Sequence, residues 1–275
     1  MINKAIALIE DEQYSFARTY LAPALIHHRL TPNARSHAYY LRGYSYYVQN
    51  LYVSARKDYY RALEFNENNA VAQAALARLY FYGEGTPKNL DLALQLYRAA
   101  AESDNKDALF HLGYAHVNGI GVDQDLKAGR AWLQGLADAG DPIAMTHLAA
   151  SYRKDLTDTP DPAAALAWYD KAIAANHPSA MLAKAYMLRS GELGEPDPAA
   201  AQALFERAAA SGNANARISL SYLYLTGDGV PENPERAYAL LAEAADQDVP
   251  ELHFRLGHLQ QHGLGTQLDL SAAMD

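Results

Sequence analysis

The sequence predicts an all-α solenoid, a stack of antiparallel helix pairs, and three observations predict it. From Ala72 onward the chain repeats itself every 36 residues without an insertion. Within each copy, apolar residues recur at three- and four-residue spacing, as in Leu76, Leu79 and Tyr80, the period of a helix with one buried face. Glycines and prolines then punctuate the copies at fixed places.

The copies begin at Ala72, Ala108, Ala144, Ala180, Ala216 and Leu252. Their fifth residue is Leu76, Leu112, Leu148, Lys184, Leu220 or Leu256, and the next is always small: Ala77, Gly113, Ala149, Ala185, Ser221 and Gly257. This stretch is helix A. A Gly-x-Gly follows at Gly83/Gly85, Gly119/Gly121, Gly227/Gly229 and Gly263/Gly265, and glycine reaches the left-handed conformation that ends a helix at little cost. Pro87, Asp123, Pro160, Pro196 and Pro231 occupy the loop, where helix cannot continue. Helix B carries a second small position, Ala93, Gly129, Ala165, Ala201, Ala237 and Ala273, then large residues such as Leu96-Tyr97, Trp132-Leu133 and Leu204-Phe205. It closes at Asp104, Gly140, Asn176, Gly212 and Asp248, mostly residues that suit turns. The small positions mark close helix–helix approach, and stacking supplies a core that no single pair can bury alone. Block three departs, with Asp155 and Thr157 in place of the glycines, and block four shifts them to Gly191-Glu192-Leu193-Gly194.

Upstream the spacing tightens. Tyr39, Gly43, Tyr46, Ala55, Tyr59 and Ala62 form one shorter unit, and Ala5, Ala17, Leu21 and Ala24 repeat its intervals. On these residues, 36–69 resembles a tetratricopeptide repeat and 1–33 a weaker copy, in which Pro23 is expected to bend or shorten the second helix. Residues 72–275, with a small helix-A residue, Gly-x-Gly, and Ala plus an aromatic in helix B, are similar to Sel1-like repeats. The division is therefore two tetratricopeptide-type repeats over 1–69 and six Sel1-like repeats over 70–275, the last incomplete, continuous as one solenoid. The resemblance implies a right-handed α/α superhelix whose concave wall is lined by the A helices.

Composition narrows the function. A net charge of −9 argues against a general nucleic-acid binder, and zero cysteines exclude disulfides, thiol catalysis and thiolate metal sites. Residues 1–65 nevertheless carry a balance of +3 and half of the 20 tyrosines. No apolar run is long enough to span a bilayer. Met1-Ile2-Asn3-Lys4 leads straight into a helical pattern with Glu10 and Asp11, unlike a secretory signal. That points to the cytoplasm, with the periplasm open should a leader have been removed. The Ala-rich, cysteine-free composition points to a bacterial source.

The resemblance also implies where a partner would contact the wall. Mapped onto this chain, its ligand positions give Tyr40, Tyr44, Arg78, Phe81, Tyr114, Arg153, Lys154, Tyr186, Arg189 and Tyr222 as partner-binding residues. Tyrosine offers broad contact area with a polar tip, and arginine grips carboxylates bidentately. The expected function is a protein–protein adaptor holding a peptide in the groove, with Arg78, Arg153, Lys154 and Arg189 pairing its acidic groups. The same tyrosines would also suit packing between neighbouring A helices. Two other functions use the same fold: a receptor for a small-molecule or carbohydrate ligand in the aromatic groove, and a structural spacer that binds nothing.

No nucleophile–base–orienter set attaches to a motif, so no enzyme activity and no cofactor are expected. His258 and His262 have a metal-compatible spacing without a carboxylate or cysteine in register, and read as a solvated pair. His111 and His147 share one position in adjacent blocks and read as interface residues. The Gly-x-Gly loops lack the strand, the third glycine and the Gly-Lys-Ser/Thr of phosphate cradles. Block six stops at Asp275, about twelve residues short of a full copy, so the expectation is either that the natural chain continues or that a second molecule covers the open end.

Overall fold

The computed structural model describes residues 1–26, 30–153 and 160–266. Its elements are α1 (Ile2–Glu10), α2 (Tyr14–Ile26), α3 (Pro32–Tyr47), α4 (Tyr52–Phe65), α5 (Ala70–Tyr82), α6 (Leu90–Ala101), α7 (Lys106–Asn118) and α8 (Leu126–Asp138). They continue as α9 (Pro142–Arg153), α10 (Pro162–Ala174), α11 (Pro178–Ser190), α12 (Pro198–Ala210), α13 (Ala214–Thr226), α14 (Pro234–Ala242) and α15 (Pro250–His262). No strand occurs among the described residues. The chain forms two compact units, Met1–Leu136 and Ala137–Asp275, and in each the helices pack chiefly on their neighbours in the chain. The architecture is the α-helical solenoid that the 36-residue register predicts.

Within a pair, the small helix-A residue faces a large helix-B residue. A Cβ on Gly43 would lie 2.6 Å from the Tyr59 ring, and one on Gly113 2.6 Å from Leu133. Tyr59, Tyr97, Leu133, Tyr169, Phe205 and Leu241 are all at most 1% exposed, and each contributes roughly 1.5–3 kcal/mol through burial. Around them lies an alanine framework, with Ala55, Ala93, Ala165 and Ala237 completely buried.

The Gly-x-Gly motif does two things. Its first glycine takes the left-handed conformation and closes helix A, at Gly83, Gly119, Gly227 and Gly263, and Gly191 does the same in the shifted motif. Its second glycine seats the loop on the preceding pair. A Cβ on Gly85 would stand 2.6 Å from Tyr52 at the start of α4, and one on Gly121 2.7 Å from Leu90 at the start of α6. Gly229 would meet Pro198, the first residue of α12, at 2.5 Å, and Gly265 would strike Pro234, the first residue of α14. Gly194 of the shifted motif has no such neighbour. The loop of block three, with Asp155 and Thr157, lies outside the described residues, as do residues 267–275 and with them the open end.

A second periodicity sets the helix starts. Asn69, Asn105, Asp141 and Asn213 precede A helices, and Asn89, Asp125, Asp161, Asp197 and Asn233 precede B helices. Each side chain accepts a backbone N–H three residues on, at 2.8–3.2 Å. Such caps satisfy donors that the helix leaves unpaired. At the equivalent position His177 makes no cap; its Nδ1 lies 2.9 Å from Thr146 Oγ1, whose own hydroxyl donates to the Pro142 carbonyl. Burial lowers the His177 pKa from its usual 6.5, with Asp141 pulling the other way.

Pro23 lies inside α2, which continues past it to Ile26. One expectation needs correcting. Asp104, Gly140, Asn176 and Gly212 take the left-handed conformation as helix-B stops, but Asp248 does not. There α14 already ends at Ala242, and residues 244–247 turn through short hydrogen bonds such as Ala244 N–H to the Leu241 carbonyl.

These contacts have measurable consequences. Gly85→Ala is expected to cost about 2 kcal/mol or more in urea unfolding, because it combines a left-handed residue with backbone contact. Gly135→Ala, where a Cβ meets nothing within 4 Å, should stabilise by roughly 0.5–1 kcal/mol. The lowered His177 pKa means that the unfolded chain takes up protons first as pH falls below 6.5. Stability should therefore drop between pH 7.5 and pH 5.5, and the drop should be smaller in His177→Gln, as urea midpoints at the two pH values would show.

Candidate functional site

In the first unit, α3 presents Tyr40, Tyr44 and Tyr47 along one face, at the i, i+4, i+7 spacing of a helical stripe. The Tyr40 ring lies 6.4 Å from Tyr44 and 6.1 Å from the buried Tyr59, both stacked, and Tyr14 meets Tyr44 edge-on at 6.5 Å. Opposite, α5 supplies Arg78, whose guanidinium sits 5.1 Å over the Tyr47 ring and 5.9 Å over Tyr82. Asp107, in the first turn of α7, completes a cleft of about 190 Å³ floored by Ala74 and Ala75.

The electrostatics of this cleft follow from burial and proximity. Burial pushes the Tyr47 hydroxyl up to about 12, opposed by Arg78 and reinforced by Glu84. Tyr40 is raised by burial and then by Tyr44 and Asp107. For Arg78, burial is the largest single influence and works against the charge. Tyr47, Asp107, Glu84 and Tyr82 together outweigh it and raise its pKa. Tyr40 and Tyr47 therefore stay neutral and Arg78 charged at ordinary pH. Among the described residues Arg78 makes no hydrogen bond and no ion pair.

The other wall residues fall into distinct environments. Phe81 is 3% exposed and meets Tyr97 edge-on at 6.1 Å, so it belongs to the core and not to a partner-facing wall. Tyr114 stacks on Phe110 at 6.2 Å. Tyr186 is 41% exposed and bonds Ser219 Oγ, and Tyr222 is 42% exposed beneath the Arg189 guanidinium at 5.6 Å. Arg153 donates Nε–H and Nη2–H to the Glu192 carboxylate at 2.9 and 2.6 Å, and Arg189 donates in the same way to Asp228. Both arginines thus have a carboxylate within the chain. Lys154 lies outside the described residues.

Those two ion pairs follow one rule that sequence reasoning missed. Each arginine lies in the last turn of its A helix and grips the acidic residue that follows the first glycine of the turn in the next repeat, 39 positions on. Tyr47 stands at the same place, and Glu84 in the next turn acts on its hydroxyl. The signal was present in the sequence, as an arginine in one copy answered by Glu192 or Asp228 in the copy after it. Asp107 was also missed, having no motif of its own.

Elsewhere, His258 and His262 stack at 4.3 Å, and His262 Nδ1 lies 2.9 Å from the His258 carbonyl. No group of three metal-binding side chains occurs among the described residues. His111 is buried against Tyr97 at 4.7 Å. No helix is long and apolar enough to cross a membrane among the described residues.

The repeat geometry matches a known family. The Sel1 repeat family model matches residues 70–105, 106–141, 142–177, 178–213, 214–249 and 250–275. The chain belongs to the Sel1 repeat family. A solved Sel1 repeat protein from Oxalobacter formigenes superimposes with a TM-score of 0.75 at 26% identity, covering 90% of this chain and 98% of that one. A protective antigen of uropathogenic Escherichia coli shares the fold at a TM-score of 0.55 and 22% identity, over 86% of this chain and 59% of that one. A 68-residue stretch is 35% identical to the ERAD-associated E3 ubiquitin-protein ligase component HRD3B of Arabidopsis thaliana, covering 25% of this chain and 11% of that protein. The chain thus spans a small part of the curated relatives it matches. Sel1 repeat proteins commonly act as protein-interaction scaffolds, and the fold is generally non-enzymatic.

For this Sel1 repeat protein, the ion pairs should rank by burial. Arg189→Ala removes a pair that is about a third or more exposed on both sides and should cost at most about 1 kcal/mol. Arg42→Ala strands Asp58, whose side chain is 7% exposed and which accepts from Arg42 Nε and Nη2 at 2.6 and 2.7 Å. That loss should reach on the order of 2–3 kcal/mol. Thermal melts of the two variants decide the ranking.

Proposed function

We propose that the chain is an interaction scaffold whose A-helix walls hold a segment of a partner protein. The observation that carries this reading is the Tyr40–Tyr44–Tyr47 stripe of α3 facing a charged Arg78 that no acceptor within the described residues occupies. Aromatic and arginine side chains around a cleft are the residue types that dominate binding energy at protein interfaces. The exposed Tyr186 and Tyr222 offer a further wall on the second unit. The net charge of −9 adds selectivity, because a segment drawn to Arg78 must tolerate an otherwise acidic surface. Arg153 and Arg189 serve here as clasps between repeats, and the proposal assigns them no partner contact.

A cross-linked capture from lysate of the source organism tests the reading. Tyr44→Ala combined with Arg78→Glu should lose proteins that the wild-type chain retains, whereas Arg189→Ala should keep them. Identical captured proteins in all three would overturn the scaffold reading and leave the spacer.

A further inference from the structure

The cleft between α3, α5 and α7 is specific about what it could hold. Beside Arg78, Asn105 and Asp107 it is lined by the rings of Tyr40, Tyr44, Tyr47 and Tyr59 and by the small side chains of Val71, Ala74 and Ala75. At about 190 Å³ it exceeds the ~150 Å³ of a cavity known to take up benzene, so one aromatic side chain fits. Offset and edge-on ring contacts with three tyrosines favour an aromatic occupant over an aliphatic one of equal size.

The charges define the rest of the ligand. Arg78 has five N–H donors and no acceptor of its own, and the rings of Tyr47 and Tyr82 hold its guanidinium by their faces. Its edges remain for a planar, bidentate anion, which is the geometry of a carboxylate. Arg42, Arg153 and Arg189 have Asp58, Glu192 and Asp228 in that role; Arg78 has none among the described residues. A second donor is left over nearby. The Tyr97 hydroxyl is fully buried, lacks a hydrogen-bond partner among the described residues, and lies within electrostatic reach of Asp107, Tyr82, Arg78 and Tyr47. The Asp107 carboxylate, which also lines the cleft, stands 3.4 Å from His111 Nδ1 and repels a second anion.

We propose that this cleft binds an aromatic residue of a partner segment together with one adjoining acidic residue. The ring enters between the α3 tyrosines, the carboxylate pairs with Arg78, and Asp107 restricts the segment to a single acid at that point. This inference rests on the scaffold reading and narrows it to a ligand chemistry.

Blocked hexapeptides test it by calorimetry on the full chain. The probe is phenylalanine followed by glutamate, flanked by glycines; in the controls glutamine replaces the glutamate or alanine replaces the phenylalanine. The wild-type chain should prefer the probe over the glutamine control by about 10-fold, the value of one charge-assisted hydrogen-bonded contact, and over the alanine control by about 10-fold through burial of the ring. Arg78→Gln should abolish the preference for glutamate and keep the preference for phenylalanine. Since Arg78 makes no hydrogen bond among the described residues, circular dichroism should show the variant folded. Should it unfold, Asp107→Asn provides the second arm: it should raise the affinity of a peptide with two glutamates after the phenylalanine. No measurable binding at millimolar probe, a wild-type chain indifferent to the glutamate, or tighter binding of free 3-phenylpropionate than of the peptide would each overturn the inference. If captured partners still depend on Tyr44 and Arg78 while the peptides show no preference, this inference fails and the scaffold reading stands.

Discussion

Where one helix pair seats on the pair before it, a glycine of the turn approaches the preceding helix more closely than a side chain would permit. Gly85 lies on the start of α4, Gly121 on α6, Gly229 on α12 and Gly265 on α14, and in each case a Cβ would come within clashing distance of the preceding helix. Only a residue without a Cβ, in the left-handed conformation, turns the chain there and still lets the helices meet. The constraint fixes the loop, the loop fixes where helix B begins, and an Asn or Asp cap then marks that start. Most of the repeat's regularity descends from this one contact.

Close stacking also decides what the A helices can offer outward. The position occupied by Tyr47, Phe81, Val117, Arg153 and Arg189 lies at the border between core and wall. Phe81 and Val117 turn inward and are 3% and 2% exposed. The two arginines are too polar to follow, and they turn to the next glycine turn, where Glu192 and Asp228 wait. Among the described residues the wall's arginines are thereby divided, with Arg153 and Arg189 holding repeats together and Arg78, one turn earlier in its helix, making no such pair.

Much of this was legible in the sequence. The 36-residue register, the small-against-large pairing and the left-handed glycines follow from residue types whose conformational limits are local. The Asn and Asp caps were equally present at the same spacing, but a cap is read only when the helix start is already placed. What was not legible depends on distance along the chain. Arg153 meets Glu192 across two repeats, and spacing within one repeat cannot show which way its side chain turns. Phe81 fell on a wall position by its place in the repeat, yet its burial is set by Tyr97 of the following helix. Asp107 sits in a neighbouring repeat and joins the tyrosine cleft only when α3, α5 and α7 are stacked.

The claim that the second glycine seats each pair on its predecessor is tested most directly by native-state hydrogen exchange in Gly229→Ala. The contact runs from the turn after α13 to the first turn of α12, so protection should fall in both places, with α9 and α10 unchanged. Loss of protection confined to the turn after α13, with the start of α12 as protected as in the wild-type chain, would contradict the account.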